Sequence, residues 1–141
     1  MTEDAFECAL RALRHRDRTG LEIEEHLRAR GFSDEDRSQA VETLRRTGVV
    51  DDERFARARA SSLAERGAGN ALIRARLAEA GLGRELVDDA LDAVEPEPTR
   101  ARRIVASRGA SPKTARYLYG KGFSERVIRS VIAEGDDDEL G

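Results

Sequence analysis

Residues Ile73 to Leu91 read IRARLAEAGLGRELVDDAL, and the same pattern occurs twice more in the chain. It appears as IEEHLRARGFSDEDRSQAV from Ile23 to Val41 and as TARYLYGKGFSERVIRSVI from Thr114 to Ile132. The three segments align without a gap. Each has a Leu four residues before a Gly: Leu27 and Gly31, Leu77 and Gly81, Leu118 and Gly122. An apolar residue follows the Gly (Phe32, Leu82, Phe123), and an apolar pair comes nine and ten residues after it. Ile23, Ile73 and Thr114 stand one helical turn before each Leu, on the same face. Self-similarity of this kind marks a repeat architecture.

One unit can be built from elementary rules. A short amphipathic helix ends at the Gly, which tolerates the left-handed conformation that terminates helices. Phe or Leu packs back onto that helix. Ser33 or Ser124 then caps the next one by accepting from a free backbone N–H. In the third unit Ser111 and Pro112 open the middle helix as N-cap and first helical residue. A further helix precedes each pair, over Glu3–His15, Asp52–Arg66 and Glu97–Arg108, and strands are nowhere signalled. Helices this short bury too little area alone, so neighbouring units must share an apolar seam.

These patterns predict an all-α fold, an elongated curved array of three tandem three-helix repeats. Repeat 1 covers 1–50, repeat 2 covers 51–96 and a basic repeat 3 covers 97–135, followed by a disordered acidic tail over 136–141. Arg37 stands where the other units have Val87 and Ile128, as expected of a terminal repeat with a more polar outer face.

The stretch GVVDDERFARARASS, Gly48 to Ser62, tests whether the chain carries catalysis. Acid–base chemistry needs carboxylates that converge on a pocket. Asp51, Asp52 and Glu53 are consecutive, so on a helix they fan apart by about 100° each. Neither His15 nor His26 has ligand spacing to another His or to Cys8. Capping accounts better for the acids: Asp51 or Asp52 binds the free N–H groups at a helix start. Phe55 then anchors the helix to the preceding unit, and Arg54 pairs locally or faces a partner. Asp51, Asp52 and Phe55 are therefore read as structural, together with Gly31, Gly81 and Gly122. No catalytic residue, metal site or cofactor is expected.

The net charge of −3 conceals a strong asymmetry. Residues 99–135 carry nine Lys and Arg against two Glu, a net of +7 in an otherwise acidic chain. Such a segment suits an anionic partner. Its cations are Arg100, Arg102, Arg103, Arg108, Lys113, Arg116, Lys121, Arg126 and Arg129. Tyr117 and Tyr119 flank Leu118, so one of them is expected to reach the surface as an aromatic anchor. No apolar run approaches the roughly 20 residues of a membrane span, and no signal-peptide pattern begins at Met1. The single cysteine, Cys8, cannot form an internal disulfide, which fits a cytoplasmic protein.

The order ALRALRHRDRTGLEIEEHLRARGF, GVVDDERFARARASS, GNALIRARLAEAGLGRELVDDAL and KTARYLYGKGFSERVIRSVI resembles the RecX family of bacterial RecA regulators, from about Ala9 to Ile132. The most specific matches are Asp52, Arg54, Phe55 and Ala56 with the Ile73-to-Gly81 helix, then YLYGKGFS with Ile128. The resemblance implies a tandem three-helix fold and a non-enzymatic regulator of recombination, DNA repair and the SOS response. Such proteins bind RecA and its filament on single-stranded DNA, lie in the filament groove, and inhibit ATP hydrolysis and strand exchange. The expected partners are RecA and that filament, with a weak direct contact to DNA, no membrane, and a monomeric state. Arg54 and the cations and tyrosines of residues 99–135 are the expected contacts. The alternative is a helical nucleic-acid-binding module that acts without RecA.

Overall fold

A computed structural model describes residues 3–140. Met1, Thr2 and Gly141, assigned above to the first repeat and to the tail, lie outside the described residues. Within them the chain forms nine helices and no strand. The first unit contains α1 (Ala5–His15), α2 (Gly20–Ala29) and α3 (Asp34–Arg46). The second contains α4 (Asp52–Glu65), α5 (Asn70–Glu79) and α6 (Arg84–Ala93). The third contains α7 (Glu97–Arg108), α8 (Pro112–Gly120) and α9 (Glu125–Leu140). Extensive helix–helix packing occurs within each trio, and each trio has its own apolar cluster. Ile23, Leu27 and Leu44 are fully buried in the first cluster, Ile73 and Leu77 in the second, and Leu118 in the third.

Local chemistry fixes the helix ends. Asp4, Ser33, Asp51 and Ser111 each accept a backbone N–H three residues on, and Thr19 forms a reciprocal capping box with Glu22. At the second turn of each unit, Gly31, Gly81 and Gly122 adopt φ of 88°, 87° and 90°. The residue after each Gly donates back to the Leu carbonyl five residues earlier, closing the turn.

Units are joined by a contact that is used twice. The N-terminus of one unit's middle helix docks on the Gly turn of the next unit. At the first junction the Thr19 hydroxyl donates to the Ala80 carbonyl at 2.6 Å, and Leu21 lies over Gly81. At the second, the Gly69 and Ala71 N–H groups donate to the Lys121 and Gly122 carbonyls at 2.8 and 3.1 Å, and Leu72 lies over Gly122. An acid from the next unit completes each joint. Asp52 accepts from the Gly20 N–H at 2.9 Å, and Glu97 accepts from the Asn70 N–H at 2.6 Å. This explains why α5 lacks a side-chain cap of its own: the neighbouring unit satisfies its orphan donors. Asp52→Ala removes one such acceptor and should cost about 1 kcal/mol in a denaturant titration.

One expectation is corrected. Arg37 does not form a polar outer face, since it is only 7% exposed. Its guanidinium folds onto the Phe32 carbonyl and Asp34, which lets a cation occupy a core-facing position, although its Nε finds no partner. The last helix, α9, runs on from the third unit into the acidic run, to Leu140. Gly135 sits against Ala110 and Val105, so the helix stays packed beyond the position where α6 ends.

Candidate functional site

The basic residues of the third unit divide into those spent inside the fold and those free to meet a partner. Arg100 belongs to the first group. It is 5% exposed, at the position in α7 that Phe55 occupies in α4. Its guanidinium donates to the carbonyls of Glu95 and Ala68, at 2.7 and 2.6 Å, and to the Asn70 side chain. It also lies 5.9 Å from the centre of the Phe123 ring. Burial lowers its pKa, an effect opposed by Glu97 and Glu95, and the group remains charged. Arg100 therefore clamps the second unit to the third and cannot be an exposed partner contact. A burial-free charge count could not separate it from its neighbours.

Arg102, Arg103 and Arg129 are exposed but paired. Arg102 reaches Glu134 at 2.9 Å across α7 and α9, Arg103 reaches Glu95 at 2.9 Å, and Arg129 reaches Glu125 at 2.7 Å. Hydrogen bonding to those carboxylates raises the pKa of Arg102 and Arg103, and it holds the Glu134 carboxyl below the usual range. Arg108 stacks on Tyr117, with 3.6 Å between the guanidinium carbon and the ring centre. Arg54 lies on the second unit, exposed, donating to the Gly48 and Val49 carbonyls at 3.4 and 3.3 Å. It is remote in sequence from the others and steadies the α3–α4 turn.

Lys113, Arg116, Lys121 and Arg126 have no ion-pair partner among the described residues. Lys113 and Arg116 project from successive turns of α8. Tyr119, next along that face, is 73% exposed, the most open of the large hydrophobic side chains identified on the surface. Tyr117 is half-buried. The face thus combines unpaired cations with one aromatic ring and a packed backing, since Thr114 and Leu118 on the opposite side are buried. Such a surface can bind phosphates or carboxylates and stack on a planar group.

The remaining residues singled out above have structural surroundings. Asp51 caps α4, and Phe55 is 8% exposed in the second unit's cluster, where it also lines a cleft toward the first unit. That cleft, of about 730 Å³, was not apparent in the sequence. It gathers Arg16, Arg59 and Arg76 with Asp17, Glu22 and Glu79. The charges come from four different helices or their flanks, so no local motif announces them. Among the described residues no helix is long and apolar enough to cross a membrane.

Comparison with known proteins gives consistent results. Models of the first and second three-helix domains of RecX match residues 5–44 and 51–91. The regulatory protein RecX of Halorhodospira halophila is 28% identical, with 98% of this chain and 92% of that protein aligned. RecX of Chromohalobacter salexigens is 32% identical over 89% of this chain and 88% of its own. The RecX of Geobacillus thermodenitrificans is 31% identical, but the chain spans only about half, 54%, of its length. The crystal structure of RecX from Lactobacillus salivarius superposes with a TM-score of 0.80 over 94% of each chain at 21% identity, a likeness of fold.

Proposed function

Because this chain belongs to the RecX family of regulatory proteins, we propose that it binds RecA and the RecA filament on single-stranded DNA, and that it restrains ATP hydrolysis and strand exchange. The observation that carries this reading is the pairing of a hydrogen-bonded array with an unpaired basic face on its third unit. A stiff array that touches two RecA protomers gains from effective concentration, because the second contact forms within an existing complex. The same double contact opposes relative movement of the protomers, on which hydrolysis and strand exchange depend. No chemistry is assigned to this chain; it acts by binding.

Lys113, Arg116, Tyr119, Lys121 and Arg126 are the assigned contacts, with Arg102, Arg103, Arg108, Arg129 and Tyr117 around them. A protein surface and DNA phosphates would respond differently to salt. Phosphate binding weakens steeply as salt rises, whereas an interface with an aromatic centre responds less. Fluorescence anisotropy of labelled protein on preassembled filaments measures both effects. The Lys113→Glu, Arg116→Glu, Arg126→Glu triple variant should bind at least about tenfold more weakly, with unchanged unfolding. Equal binding by the triple variant would remove α8 and α9 from the interface. Binding to bare DNA that equals binding to the filament would favour the RecA-independent reading.

A further inference from the structure

The contact that joins the units has three possible positions in each role, and only two of each are used. The Ala80-Gly81 turn receives the N-terminus of α2, and the Lys121-Gly122 turn receives that of α5. The corresponding turn of the first unit, Arg30-Gly31, receives nothing. A Cβ on Gly31 would meet no atom within 4 Å, whereas one on Gly81 would lie 2.6 Å from Leu21 Cβ and one on Gly122 2.7 Å from Leu72 Cβ. Among the described residues no group donates to the Arg30 carbonyl. Yet the turn is built like the other two, with the same left-handed glycine and the same Phe32 N–H bond to the Leu27 carbonyl.

The opposite end of the array is closed. Ala110, Ser111 and Pro112 occupy the positions of Gly69, Asn70 and Ala71 in the repeat alignment. Pro112 has no N–H where Ala71 donates to Gly122. The extension of α9 also covers this helix start, since a Cβ on Gly135 would lie 2.7 Å from Ala110 Cβ. A second copy of the chain therefore has no equivalent plug to offer for the free socket.

The filled sockets define what that molecule presents. Both accept a helix N-terminus with a small capping residue, Thr19 or Gly69, and a leucine two or three positions after it. At the first junction the cleft beside the incoming helix mixes charges from both sides, Arg16, Asp17 and Glu22 against Arg59, Arg76 and Glu79, whereas the helix in the second socket has no acid in its first turn. His26 and Arg30 hold the positions of Arg76 and Ala80 in the first unit, with Arg11 and Arg18 close enough to act on His26. We infer that the Arg30-Gly31-Phe32 turn is a vacant docking socket for a helix N-terminus of a partner protein, one with an acidic first turn and a leucine over Gly31. This inference does not rest on the RecA reading.

The probe is a synthetic peptide of residues 15–30, which carries the plug of the first junction, held helical by a hydrocarbon staple between positions 25 and 29. It is titrated into the full-length, isotopically labelled protein and followed by amide chemical shifts. The expected result is saturable shifts centred on Arg30, Gly31 and Phe32, with Lys121 and Gly122 unaffected. A control peptide with Leu21→Asp and the same staple should bind at least about tenfold more weakly. No shifts at Gly31, or equal binding by the two peptides, overturns the socket. Concentration-dependent dimers of the protein alone, with contacts at Gly31, overturn the assignment to a different molecule.

Discussion

Gly122→Ala should destabilise the protein by about 3 kcal/mol, whereas Gly31→Ala should cost only about 1 kcal/mol. Both glycines hold left-handed backbone, with φ of 90° and 88°, so the conformational penalty is shared. They differ in what surrounds them. A methyl group on Gly122 would lie 2.6 Å from the Leu72 backbone nitrogen, and a helix start pinned by three interunit hydrogen bonds from its backbone N–H groups cannot easily retreat. Around Gly31 there is open space. Urea titration of both variants measures the difference directly. Equal losses would mean that the second junction yields without cost, and that the units are only loosely strung together.

Arg100→Ala should be of similar size, again about 3 kcal/mol. The substitution withdraws the donor from the Ala68 carbonyl and the Asn70 side chain at a buried position, and neither gains an evident replacement. It also removes the positive charge of Arg100 from beside the buried Glu97 carboxylate. Arg103→Ala provides the contrast. Its pair with Glu95 is exposed, and its loss should change stability by no more than about 0.5 kcal/mol. Denaturant midpoints for the two variants decide the matter. A mild Arg100→Ala phenotype would mean that the cavity hydrates and that Arg100 is dispensable for joining the second unit to the third.

These two sites also show what could be read before the fold was known. The Leu-to-Gly spacing, the apolar pairs and the Ser caps are local, so three helices per unit were legible from periodicity and turn chemistry alone. The junctions were not. Thr19 meets Ala80 across 61 residues, and Arg100 meets Ala68 across 32, and no pattern along the chain records such pairings. The Asp51-Asp52 pair was legible as a helix start. That Asp52 also serves the neighbouring unit's helix was not, because its partner, the Gly20 N–H, carries no side-chain signal.

The basic third unit illustrates the same limit. Counting charge located the region but treated nine cations alike. Geometry divides them: one is buried, three pair with carboxylates, one stacks on a ring, and four stand unpaired among the described residues. Two of the three paired cations meet acids that folding brings in, Glu134 beside Arg102 and Glu95 beside Arg103. The α9 extension is a related case. Gly135, the residue before the acidic run, lets the helix pass closely over Ala110, and that contact carries no signal along the chain.

The most direct test is the rate of ATP hydrolysis by the cognate RecA on single-stranded DNA, with this protein present below the amount that would cover the DNA. The account predicts inhibition that persists when free single-stranded DNA is added in excess, because the target is the filament. Hydrolysis that is unaffected, or an inhibition that the added DNA abolishes, would contradict it.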